Sequence, residues 1–221
     1  MKLIDMQKDA ALKGLQLPFG VLEVWYPDSS DWDTAGFEAL KRRELDEIML
    51  LAPEYDRKRD FSEDPYFRYF RKFKKTYPVM AQLESFLLKG RPFPEWSPIN
   101  QVAFLTELKT RVLLGTHDVE RVQGPVTLYR PAAEESFTGM GGRESHSYKG
   151  DLTGRDDGGI ILSMIAGPDE RTCLQEDTLH PVYLVFAPED YPAARVESCL
   201  EQIAAYVRAL APGARMERLV L

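Results

Sequence analysis

The chain has 221 residues, of which 44% are hydrophobic, and 28 basic against 35 acidic side chains give a net charge of -7 and a pI near 5.1. Bulk electrostatics of that sign repel a nucleic-acid backbone, so any contact with RNA has to be local. No apolar run reaches the roughly 20 residues of a membrane-spanning helix, and Lys2, Asp5, Lys8 and Asp9 make the opening unlike a secretory signal, so a cytoplasmic protein with no membrane partner is expected.

Residues 17–25 (LPFGVLEVW) alternate apolar and polar side chains after a proline and predict a half-buried strand. A helix follows, capped by Asp33 or Thr34, with Phe37, Leu40, Leu45, Ile48 and Met49 at helical spacing until Pro53 stops it. Residues 56–64 are almost wholly charged. Pro65 then opens YFRYFRKFKK, in which Tyr66, Tyr69, Phe70 and Phe73 form one stripe and Arg68, Arg71, Lys72, Lys74 and Lys75 fall largely elsewhere. A helix over 79–89 turns Met80, Leu83, Phe86 and Leu87 inward, stops at Gly90, and is expected to form a hairpin with its predecessor. Residues 96–111 predict another helix, with Pro98 at its start and Val102, Leu105 and Leu108 on one face.

After Asp118 the character changes to short β-rich runs, at 125–129, 159–165, 181–186 and 218–221, separated by glycine-containing or acidic loops. One more helix is expected to start with Asp190 as cap and Pro192 in its first turn, burying Val196, Leu200, Ile203, Val207 and Leu210. Early helices, late strands and a returning helix predict an α+β fold in a single domain over 1–221 rather than a doubly wound parallel sheet.

Several chemistries lack their motif. There is no phosphate loop ending in Lys-Ser or Lys-Thr, and Gly139, Met140, Gly141 and Gly142 read as a flexible turn. His117, His146 and His180 stand far apart, residues 151–157 lack the calcium-loop spacing, and no Gly-x-Ser-x-Gly occurs, so neither a metal site nor a cofactor is expected. Cys173 and Cys199 read as reduced, buried thiols.

The polar groups that remain each have two readings. Glu107, Lys109 and Thr110 are either a solvated helix face or ligand contacts. The adjacent His117 and Asp118 are loop caps or a proton-shuttling pair. Residues 129–148, with Glu134, Glu135, Arg143, Glu144 and His146, form a surface hairpin or present carboxylates to an amino group. Within 151–178, an apolar strand followed by Asp169, Arg171 and Thr172 suits a pocket wall with polar groups at its mouth, or a strand with a charged turn. The basic exterior of YFRYFRKFKK is that of an amphipathic helix, with phosphate contact as the second reading.

In order along the chain, Leu88-Lys-Gly90, Ile99-Asn100, residues 118–124 (DVERVQG), Glu135, and Arg171-Thr172 with Thr178 resemble the freestanding B3/B4 editing-type module of the phenylalanyl-tRNA synthetase beta chain. The resemblance covers about 67–209, with 17–25 similar to the strand that begins the solo members and the 17–51 strand and helix packed on that core. It implies an unusual β-sandwich with flanking helices. It also implies a trans-acting, editing-like hydrolase of mischarged aminoacyl-tRNA or a related aminoacyl ester, with His117, Asp118 and Glu135 as catalytic residues, or a non-catalytic module that binds an amino acid or tRNA end. The implied partner is tRNA through its aminoacylated 3′ end, with the amino-acid moiety in the pocket, and Glu135, His117, Arg171 and Lys109 are expected to converge on one cavity. Gly115 stands where the synthetase module has a histidine, with His117 two positions further on, and Phe104 and Glu107 stand near the module's Asp and Asn.

Overall fold

The computed structural model describes residues 4–15 and 17–220. In chain order the elements are β1 (Met6–Lys8), β2 (Phe19–Trp25), α1 (Thr34–Met49), α2 (Arg57–Phe61), α3 (Pro65–Lys72), α4 (Pro78–Leu87), α5 (Pro98–Thr110) and β3 (Leu114–Asp118). There follow β4 (Val126–Tyr129), β5 (Glu135–Gly139), β6 (Arg143–Ser147), β7 (Thr153–Asp156), β8 (Gly159–Ser163), β9 (Gly167–Pro168), β10 (Pro181–Phe186), α6 (Ala193–Leu210) and β11 (Arg215–Val220). The expected last strand thus begins three residues earlier than its apolar end suggests, and Leu221 lies outside the described residues.

Helix starts follow local chemistry. Asp33 accepts a hydrogen bond from Gly36 N at 2.8 Å, Asp64 from Tyr66 N at 2.8 Å, and Pro65, Pro78 and Pro98 occupy first turns. Charged residues 56–64 hold the short helix α2, because Asp56 caps it through Arg59 N and Phe61 is fully buried. Asp190 does not cap α6. It adopts a left-handed backbone (φ 70) and Pro192 takes the cap position. The expected α3–α4 hairpin gives way to a different packing: α4 lies on α1 and α5, while α3 docks through its aromatic stripe. Tyr66 stacks on Tyr77 (5.3 Å between centroids), and its hydroxyl donates to the Phe186 carbonyl.

The fold is α+β, as expected. Four strands in the order β11-β2-β10-β3 form an antiparallel sheet, and five in the order β1-β4-β7-β8-β9 form a second, parallel only where β1 meets β4. The hairpin β5-β6 stands as a third, two-stranded sheet. Helices α1, α5 and α6 pack together, and α6 approaches β2 so closely that a Cβ at Gly20 would lie 2.7 Å from Val196 Cγ1. Both larger sheets feed one apolar core, with Val21, Leu22 and Leu184 from one, Leu128, Ile161 and Leu162 from the other, and Phe37, Leu105 and Ile203 from the helices.

Residues 167–172 clip the three sheets together. Met140 N donates to the Pro168 carbonyl and Glu170 N to the Thr138 carbonyl, which ties down the hairpin. Asp169 N donates to the Ile161 carbonyl of β8, and the Thr172 carbonyl accepts from Asp118 N of β3. Among the described residues no helix is long and apolar enough to cross a membrane.

Candidate functional site

A pocket of about 360 Å³ opens where α5 meets β3, β8 and the 164–168 loop. Helix α5 presents Asn100, Ala103, Phe104 and Glu107 to it, at the i, i+3, i+4, i+7 spacing that places four side chains on one face. Leu113, Leu162, Met164 and Phe186 supply most of the remaining apolar wall, with Pro78 and Gln82 from α4. Met140, at the tip of the β5-β6 hairpin, and Trp96 line it too, and their exposures of 59% and 51% put them at the rim. The volume and the mainly apolar lining suit a single amino-acid-sized ligand.

Two polar groups in this wall are underused. Glu107 Oε1 accepts one hydrogen bond, from Leu114 N at 2.9 Å, and burial pushes its carboxyl up to about 8, so at neutral pH it is largely protonated. Gln82 Oε1 is buried and has no partner among the described residues. Ser163 and Ile165, also in the lining, are partnered. Ser163 Oγ donates to Asp151 Oδ2 at 2.5 Å, Ile165 N reaches the same oxygen, and Tyr69 of α3 donates to Oδ1 at 2.7 Å. Asp151 is thus a buried hub that fixes the pocket's β8 side to α3, with its carboxyl raised by burial and held down by these donors.

His117 is not in the pocket lining. It is wholly buried on β3, and burial depresses its imidazole to about 4, so it is neutral. Its Nδ1 is 2.7 Å from Thr172 Oγ1, whose hydroxyl hydrogen bonds Asp169 in turn. Because that hydroxyl donates to the carboxylate, Nδ1 carries the imidazole proton and Nε2 is left with a free lone pair. Nε2 has no partner among the described residues, and a Cβ at Gly115 would lie 3.4 Å from it and 3.1 Å from the Phe186 ring. Gly115, unlike His117, lines the pocket.

The expected convergence of Glu135, His117, Arg171 and Lys109 on one cavity does not occur. Lys109 lies on the far side of α5 from Glu107, bridging Glu44 and Glu47 of α1, because two residues along a helix is more than half a turn. Thr110 bonds back to the Thr106 carbonyl and touches Cys199 between α5 and α6. Asp118 points away from His117, as successive residues of a strand must, and accepts from Thr178 Oγ1 and Glu120 N. Glu135 accepts from Tyr129 Oη at 2.6 Å on the hairpin, where Arg143 is exposed and His146 meets Ser136 and Glu134. Arg171 binds Asp156 and the Arg121 carbonyl, while Asp169 and Thr172 serve the His117 chain. Of the expected site residues only Glu107 lines the pocket, so His117, Asp118 and Glu135 do not form one catalytic group.

Sequence reasoning passed over Gln82, Ser163 and Asp151. The helical register of Asn100, Ala103, Phe104 and Glu107 was available as a signal, since it sets a carboxyl at the end of a face that is otherwise mostly apolar. Among the described residues no group of three His, Cys, Asp or Glu stands ready to hold a metal ion.

No protein-family model matches the chain, and no curated protein matches it. Among solved structures, an N-terminal fragment of the phenylalanyl-tRNA synthetase beta-subunit from Pyrococcus horikoshii is similar to it, with a TM-score of 0.49 and 12% identity over 99% of this chain and 54% of that one. The chain spans about half the length of that fragment.

Proposed function

We propose that the pocket binds the amino-acid part of an aminoacyl ester carried on an RNA end, and that the protein works by recognition. The observation that carries this reading is Glu107, a nearly unpartnered carboxyl in a mainly apolar cavity that Gln82, with its orphaned Oε1, also lines. An α-ammonium entering there gains a charge-assisted hydrogen bond and takes the place of Glu107's own proton, while Phe104, Leu162, Met164 and Phe186 surround the side chain. The sequence resemblance to a synthetase module supplies the choice of an RNA-borne ester. Ester hydrolysis is the second reading, favoured by one observation: a carboxyl near 8 titrates close to neutral pH, where a general acid or base is most effective.

Calorimetric titration with free amino acids and with a panel of mischarged tRNAs, the latter also followed for ester loss, tests this. Saturable binding of an apolar or aromatic amino acid is expected, with proton release on binding and about ten-fold weaker affinity in Glu107→Gln and in Gln82→Leu. Affinity unchanged in both variants would remove the assignment. Ester loss that Glu107→Gln abolishes would replace recognition with hydrolysis.

A further inference from the structure

Although the molecule is acidic overall, residues 65–75 hold five cations and no carboxylate. Arg68, Arg71, Lys72, Lys74 and Lys75 are all exposed, and Lys149 is brought to the same surface where Lys75 lies 5.1 Å from the Tyr148 ring. Arg68 pairs with Glu63, but among the described residues Arg71, Lys72, Lys74, Lys75 and Lys149 form no ion pair. Half-buried rings lie among them: Arg71 sits 5.7 Å from the Phe67 ring, and Phe73 and Tyr148 are neighbours edge to face.

The helix end adds a second observation. Lys75 N donates to the Phe70 carbonyl and Lys74 N to the Arg71 carbonyl, a Schellman ending that puts Lys74 in the left-handed region (φ 56) where glycine costs least. Cations in a last turn complement the helix dipole, which accounts for Arg71 and Lys72. It does not account for a lysine at the strained position, nor for Lys75 and Lys149 beyond the helix.

We infer that this face of α3 is a docking surface for the phosphate backbone of RNA, with Arg71, Lys72, Lys74, Lys75 and Lys149 neutralising phosphates and the rings flanking them. Charge complementarity selects a polyanion, and unpaired cations interleaved with aromatic rings suit a nucleic-acid strand. The choice of RNA among polyanions rests on the pocket reading. The two surfaces are physically joined, because Tyr69 on the inner side of α3 holds Asp151 and, through it, Ser163 of the pocket wall.

The test uses uncharged tRNA, so that no amino acid is present and the outcome is independent of the pocket. Binding is followed by fluorescence anisotropy across a salt series for the wild type, for Arg71→Gln/Lys72→Gln/Lys75→Gln, and for a control triple, Lys13→Gln/Arg42→Gln/Arg208→Gln. The expected result is a fall of about 2 to 3 in the slope of log K against log salt for the first triple, with a loss of affinity of about ten-fold or more, and little change for the control. Equal behaviour of the two triples overturns the inference, as does wild-type binding to phosphatidylserine vesicles but not to tRNA. Amino-acid binding retained by the first triple shows that it is folded and leaves the pocket reading standing on its own.

Discussion

Two buried carboxyls, Glu107 in the pocket lining and Asp151 behind Ser163 of that lining, differ in how fully they are partnered. Asp151 is wrapped by Tyr69, Ser163 and the amide of Ile165, whereas Glu107 has a single amide donor. A buried acid with both oxygens bonded ties secondary structure together. One left open toward a cavity keeps binding capacity for something that arrives later. The difference teaches where to look for function in a wall of mixed residues: at the group the fold has not satisfied.

The largest effect that would break this contrast belongs to Asp151. Replacing it with alanine strands the Tyr69 and Ser163 hydroxyls in the core, and a loss of about 3 to 5 kcal/mol is expected from denaturant unfolding. A loss below about 1 kcal/mol would mean that the hub does not hold α3 to β8.

Glu107 should reveal itself through pH dependence. Its folded carboxyl lies near 8, above the ordinary value of 4.5, so its contribution is full below about pH 4.5 and is lost as pH rises toward 8. His117 runs the other way: its folded value near 4 lies below the ordinary 6.5, so its contribution is present above 6.5 and lost as pH falls toward 4. Subtracting the Glu107→Gln variant isolates the first term. The wild type should lose up to about 1.4 kcal/mol per pH unit relative to the variant between pH 5 and 8, then run parallel to it. A constant difference over that range would show that Glu107 is ionised in the ligand-free protein.

The smallest effect is expected at Lys109, whose partners Glu44 and Glu47 lie on α1 behind the pocket. Lys109→Ala should cost under about 1 kcal/mol in thermal unfolding and leave amino-acid affinity unchanged. A change in affinity would place α1 within reach of the ligand.

Most helices were legible in the sequence because their signals are local: Asp33 as a cap, prolines in first turns, and Tyr66, Tyr69 and Phe70 at helical spacing. The short β1, β7 and β9 were not, since strands of 3, 4 and 2 residues carry too little period to stand out. The site was less legible for a different reason. His117 and Asp118 look like a pair when written side by side, yet strand geometry sends them to opposite faces, one to Thr172 and the other to Thr178. His180, by contrast, sits between two carboxylates, Glu23 and Glu120, and no spacing along the chain announces it. Pocket membership likewise depends on how α4, α5, β3 and β8 meet, which residue order alone does not state.

The clip at residues 167–172 bears on how this molecule comes apart. A two-stranded hairpin in water has marginal stability of its own, and here it is anchored by Met140 and Thr138 to the segment that also grips β8 and β3. Fraying of the hairpin therefore has to drag at that shared anchor, so the rim of the cavity inherits the cooperativity of the core instead of peeling away ahead of it.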